Sequence, residues 1–138
     1  MNIIIIEDEK PSARRLQRML KALNLEAETM LHSVEESIDW FKSNTHPDLI
    51  FLDIQLSDGL SFEIFETINI KSAVIFTTAY DEYALQAFKL NSIDYLLKPI
   101  DDEELKTAID KFSMNQLESH NLMVDINQIK KLLINPLD

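Results

Sequence analysis

Residues 48–53 read Asp48-Leu49-Ile50-Phe51-Leu52-Asp53. Four apolar side chains in a row, bracketed by carboxylates, are too few for a helix. They also lack the alternation of a half-buried strand, so this segment is expected to be a strand covered on both faces. Residues 3–6, four isoleucines, make the same pattern and stop at Glu7. Residues 73–76 repeat it and end at Thr77-Thr78, and residues 93–97 give a last strand ending at Lys98-Pro99. Residues 25–31 form a weaker strand, with Leu25, Ala27, Thr29 and Leu31 on one face.

Between the strands the period changes to that of helices. Residues 11–23 place Leu16, Met19, Leu20 and Leu23 at helical spacing, with Pro11 in the first turn. Ser33 heads a helix to about residue 42, and Glu36 three residues on fits a capping box. Residues 60–68 read as a short helix. Residues 81–90, capped by Asp81, turn Ala84, Leu85, Ala87 and Phe88 inward. Residues 101–114 form the last helix of the series, with acids in the first turn where the helix dipole favours them. Strand and helix thus alternate five times. Apolar strands alternating with helices imply a parallel sheet covered on both sides, and right-handed crossovers leave few topologies. The expected fold is α/β: a flavodoxin-like (βα)5 doubly wound parallel sheet, strand order 2-1-3-4-5.

Composition narrows the chemistry. The 138 residues carry 13 Lys and Arg against 24 Asp and Glu, a net charge of −11. Such a balance disfavours direct binding to nucleic acid or an anionic membrane. The absence of Cys excludes disulfides, thiolate metal sites and a Cys nucleophile. The single glycine, Gly59, cannot build a glycine-rich phosphate loop. No segment approaches the roughly 20 apolar residues of a membrane span, and no signal-peptide pattern opens the chain, so a cytoplasmic location is expected.

In an open α/β sheet, ligands bind beyond the carboxyl ends of the strands, at the point where strand order reverses. Here those ends carry Glu7-Asp8-Glu9, Asp53, Thr77-Thr78 and Lys98. One such acid alone is ordinarily a solvated loop charge, but four strands ending in matched chemistry are not. Clustered carboxylates repel one another, and an all-oxygen donor set selects a hard divalent cation such as Mg²⁺. A carboxylate beside such a cation is a competent nucleophile toward phosphorus, with a lysine and a hydroxyl to hold phosphoryl oxygens.

These residues resemble the receiver domain of a two-component response regulator. The resemblance rests on residues 3–9 (IIIIEDE), 48–53 (DLIFLD), 74–79 (VIFTTA) and 94–99 (DYLLKP), in the family's order over about 110 residues. Residues 80–100 (YDEYALQAFKLNSIDYLLKPI) are most similar to receivers that precede a LytTR-type (LytR/AlgR-like) DNA-binding domain. The resemblance implies that Asp53 is the phosphoacceptor. It implies that Glu7, Asp8, Asp53 and the backbone carbonyl of Gln55 hold Mg²⁺ (or Mn²⁺), Asp8 more directly than Glu7. Thr78 and Lys98 would contact the phosphoryl group, Tyr95 would be the aromatic switch residue, and Lys98-Pro99 is where the family often has a cis bond. Thr77 rivals Thr78 by register, and the following Ala79 favours Thr78. Two departures stand out: Glu7 replaces the commoner Asp, and the loop after Asp53 lacks the usual Met-Pro step and is shorter before its Gly.

Gln55 and Tyr80, two residues beyond Asp53 and Thr78, are expected to modulate the lifetime of the acyl phosphate by controlling water access. His32, His46 and His120 have no metal spacing and are expected on the surface; Glu9 is expected to be a solvated helix-start acid. The expected domain spans residues 1–115. Residues 116–138 would form a helical extension, with Leu122, Ile126, Ile129 and Leu133 on one face and Pro136 ending it. The resemblance further implies a DNA-binding domain beyond residue 138, and hence a chain cut from a longer protein. Expected partners are a sensor histidine kinase and a second copy, bound through the fourth and fifth βα segments. Apart from handling its own phosphoryl group, the chain is not expected to be an enzyme. Competing readings are a pseudo-receiver that only binds other proteins and a haloacid-dehalogenase-like phosphatase. The latter needs a second Asp where this chain has Gln55.

Overall fold

The computed structural model describes residues 1–80 and 92–117. Five strands form one parallel sheet: β1 (Ile3–Ile6), β2 (Thr29–Leu31), β3 (Leu49–Asp53), β6 (Ala73–Thr78) and β7 (Asp94–Leu97). Their spatial order is β2-β1-β3-β6-β7, which is the 2-1-3-4-5 order expected. Two short strands, β4 (Gln55–Leu56) and β5 (Gly59–Leu60), pair separately as an antiparallel hairpin. The helices are α1 (Lys10–Ala22), α2 (Val34–Ser43), α3 (Phe62–Thr67) and α4 (Asp102–Leu117). The helix expected at residues 81–90 and the helical face expected at Leu122, Ile126, Ile129 and Leu133 lie outside the described residues.

The fully apolar strands behave as sequence demands: all of β1 and β3 is buried. On one side of the sheet Ile3, Ile5, Leu49, Phe51 and Ile75 meet Ala13, Leu16 and Leu20 of α1 and Leu105, Ala108, Ile109 and Phe112 of α4. On the other side Ile4, Ile6, Ile50, Leu52, Val74 and Phe76 meet Phe41 of α2 and Ile64 of α3. The alternation along each strand assigns its residues to the two layers.

Several boundaries differ from expectation for identifiable reasons. The weak strand contracts to Thr29–Leu31 because residues 23–25 close α1. Asn24 takes a left-handed conformation (φ 63°), its N–H bonds the Lys21 carbonyl, and the Leu25 N–H bonds that of Leu20. That is a Schellman closure with Asn in the place of Gly. Leu60 leaves the expected helix to pair with Gln55 in the hairpin. Gly59 turns that hairpin at φ 151°, where a Cβ would collide with the Glu63 carboxylate. Ser33 caps α2, its hydroxyl accepting the Glu36 N–H at 3.0 Å, but Glu36 reaches back to the His32 N–H and not to that of Ser33. Helix α4 runs to Leu117, three residues past its expected end at about residue 114.

Candidate functional site

Register brings the strand ends to one level. Ile6 lies opposite Leu52, so Glu7 follows β1 as Asp53 completes β3. Asp53 lies opposite Thr77, and Thr78 opposite Leu97, which places Lys98 just beyond β7. The ladder extends past the strands themselves, through Glu7 N–H to Leu31 O, Ile54 N–H to Thr77 O and Lys98 N–H to Thr78 O.

Three carboxylates meet there. Glu7, Asp8 and Asp53 each offer an oxygen within 4.8 Å of the others. Glu7 is 4% and Asp53 5% exposed, so neither charge is solvated from above. The Lys98 ammonium reaches both, donating to Asp53 Oδ2 at 3.0 Å and to Glu7 Oε1. Two of the three acids thus bond one half-buried cation. Burial pushes the Glu7 carboxyl above its ordinary value and Asp53 adds to the rise, with Lys98 opposing. Burial, then Glu7, likewise raises Asp8. Burial also works against the Lys98 ammonium, but Glu7 and Asp53 outweigh it and hold its pKa above the ordinary lysine value. The site as it stands has too much negative charge for its depth. An all-oxygen set with this deficit fits a hard divalent cation.

Of the other expected residues, Gln55 bonds Asp53, whereas Thr78 and Tyr95 bond Tyr80. The Gln55 N–H points to Asp53 Oδ1 at 3.4 Å, a long hydrogen bond, and the Gln55 side chain is exposed. Thr77 and Thr78 are both buried. Alternation sets Thr77 on the α1/α4 side of the sheet with Asp53, and Thr78 on the side where Tyr95 packs. Thr78 Oγ1 accepts the Tyr80 N–H at 3.1 Å, and the Tyr95 hydroxyl donates to the Tyr80 carbonyl at 2.6 Å. The backbone of one residue, Tyr80, therefore ties the Thr78 hydroxyl to the Tyr95 ring. Lys98-Pro99 is cis. Glu9 is exposed at the start of α1, where its N–H bonds Glu7 Oε2 at 3.2 Å.

Two residues beside the site escaped the sequence reading. His32, expected on the surface, is half-buried, and its Nδ1 lies 2.8 Å from the Glu7 carbonyl. A carbonyl only accepts, so Nδ1 carries the proton. Asp58 spans 24 residues of sequence to accept the Val34 N–H at 2.8 Å, and it accepts the Glu35 N–H at 3.0 Å. Burial opposes its charge, but the backbone donors together outweigh it and hold the carboxyl below its ordinary value. In sequence an Asp before Gly announces only a turn.

Residues 3–110 match the response regulator receiver domain family. The chain is 38% identical over 122 residues to the sensory transduction protein LytT of Enterococcus faecalis, covering 82% of this chain and 48% of that protein. It is 35% identical over 116 residues to LytT of Bacillus anthracis, with 81% and 47% covered. It is 32% identical to the transcriptional regulatory protein LytR of Staphylococcus aureus, with 88% and 50% covered. The chain thus spans about half the length of these relatives. Among solved structures, the response regulatory domain of mrkE from Klebsiella pneumoniae superposes with a TM-score of 0.76 at 25% identity, covering 86% of this chain and 99% of that one. A two-component response regulator from Clostridium difficile gives 0.69 at 27%, with 84% and 98% covered. The chain belongs to the response regulator receiver domain family, within the LytT- and LytR-like group.

Proposed function

We propose that Asp53 accepts a phosphoryl group from the phosphohistidine of a sensor kinase. The observation that carries this reading is the buried Asp53 carboxylate held by Lys98 beside the Glu7–Asp8 pair. An Asp53 oxygen attacks phosphorus. The P–N bond breaks, its electron pair returns to the imidazole, which takes up a proton from water, and an acyl phosphate forms. Lys98 holds one phosphoryl oxygen as a point charge and the Thr78 hydroxyl donates to another. Glu7, Asp8, Asp53 and the Gln55 carbonyl are the residues that would hold Mg²⁺ (or Mn²⁺). When bound, the cation supplies positive charge against the phosphoryl oxygens.

If Thr78 turns toward the phosphoryl group, its bond to the Tyr80 N–H is lost, and with it the link to Tyr95. That couples the site to the surface of the fourth and fifth βα segments, where we propose that a second copy docks; transcriptional output would pass through a separate DNA-binding part of the regulator. Gln55 and Tyr80, exposed at the rim, would meter the water that hydrolyses the acyl phosphate.

The test is incubation with Mg²⁺ and a small-molecule phosphodonor, followed by intact mass over time. The expected result is one phosphoryl group, lost on standing and absent in Asp53→Asn. The same trace for Tyr80→Ala should show a changed decay rate; an unchanged one removes Tyr80 from the water-access account. A wild-type chain that takes no phosphoryl group from either the donor or a phosphorylated kinase would instead favour a pseudo-receiver.

A further inference from the structure

The turn of the β4–β5 hairpin does not simply project into solvent. Ser57 and Asp58 separate Leu56 from Gly59, and both Asp58 oxygens are committed to the first backbone N–H groups of α2. These donors have no partner within their own helix. On the opposite side, His32, two residues before α2, donates to the Glu7 carbonyl and offers its own N–H to Glu36. The start of α2 is therefore tied both to the end of β1, which carries Glu7 and Asp8, and to the hairpin that begins at Gln55. The hairpin has a second tie at its far end, where Glu63 accepts the Leu60 N–H at 3.0 Å.

We infer that the start of α2 is a common anchor for the two loops that carry the acidic cluster, and that Asp58 is a positioning residue holding the Gln55 peptide against it. This rests on the cation-binding reading above. Asp58 reaches no part of the cluster itself. It acts by fixing a five-residue path from Asp53, through Gln55, to a helix that packs on the sheet. In the family's usual pattern this loop carries a Met-Pro step, which restricts the backbone directly. Here that step is absent, and Asp58 supplies the restraint from its tip. Residues that orient a ligand without touching the metal commonly matter to affinity by about ten-fold or more.

The experiment is titration of the 138-residue chain with Mn²⁺, the free ion being read by its paramagnetic resonance signal. Wild type should bind one ion and Asp8→Asn none. Asp58→Ala should bind about ten-fold more weakly, and Asp58→Asn, which keeps one acceptor oxygen, should fall between. Ser33→Ala serves as the control: it removes the cap inside α2 but leaves both loop ties in place. It should lower thermal stability as Asp58→Ala does while binding Mn²⁺ like wild type. If wild type binds and Asp8→Asn does not, equal affinity in Asp58→Ala and wild type overturns the role of Asp58 alone. So does a loss in Ser33→Ala as large as that in Asp58→Ala. A wild-type chain that binds no Mn²⁺ overturns the cation-binding reading and this inference together.

Discussion

At the scale of single residues the cluster carries a pH signature whose sign differs from that of an ordinary paired acid. Burial raises both Glu7 and Asp8, so between the usual carboxylate range and their raised values the folded chain binds more protons than the unfolded one. Stability therefore falls as pH rises through that interval. Asp58 runs the other way: its carboxyl is held low, and its contribution appears above the ordinary Asp value and fades as pH falls. Without a divalent cation, Asp8→Asn is expected to melt a few degrees higher than wild type at neutral pH. The gap should close as both chains are taken down to acid pH, where Asp8 is uncharged in folded and unfolded chains alike. Saturating Mg²⁺ should reverse the order, since an ion at a hundred times its dissociation constant adds about 2.7 kcal/mol to a chain that binds it. Melting curves with and without Mg²⁺ across pH decide this, and an Asp8→Asn chain less stable than wild type at every pH would contradict it. Sequence made Glu7, Asp8, Asp53 and Lys98 legible because each ends a strand or lies within two residues of a strand's end. It could not reveal His32 or Asp58, whose partners are backbone groups on other elements.

At the scale of elements, continuous apolar runs are legible in the sequence and element ends less so. β1 and β3 have no polar face, so only a strand buried on both sides suits them. The end of α1 depends instead on Asn24 adopting a left-handed conformation, and the hairpin depends on a local pairing that removes Leu60 from α3. Both are competitions between nearby backbone bonds, which periodicity does not register. Helix α4 is better specified. Asp101 Oδ2 accepts the N–H groups of Glu103 and Glu104 at 3.0 and 3.1 Å, and three acids occupy the first turn. Leu105, Ala108, Ile109 and Phe112 then fall on the buried side at helical spacing. Asp101→Ala should cost about 1 kcal/mol, measured by urea unfolding at neutral pH. A variant as stable as wild type would mean that water satisfies those two donors equally well. Arg15 of α1 donates to the Ile100 carbonyl at 3.0 Å, so the same junction is held from both sides.

At the scale of the molecule, the proposed docking of a second copy meets a charge problem. Beside the β7 edge the surface forms an open concavity of about 520 Å³ lined by Asp94, Tyr95, Leu97, Asp101, Glu103, Glu104 and Thr107. Lys111 neutralises Asp94 at 3.1 Å, while the acids of the first turn of α4 stand close together beside it. A two-fold dimer sets the same patch against itself, so a pair closing through this face brings acids toward acids. The chain's net charge of −11 adds a longer-range repulsion. Exposed charges are screened over about 10 Å at 0.1 M salt and about 3 Å at 1 M. The apolar part of the face, with Leu97 40% exposed, does not weaken with salt in this way. Dimerisation through this face should therefore tighten as ionic strength rises, opposite to an interface built on complementary charges. Sedimentation velocity of the chain with Mg²⁺ and a phosphate mimic, at low and high salt, measures it. Dimer that appears only with the mimic and grows with salt supports the face proposed. Dimer that dissolves with salt points instead to the basic stripe of α1, where Lys10, Arg14, Arg15, Arg18 and Lys21 are all exposed, meeting an acidic patch on the other copy.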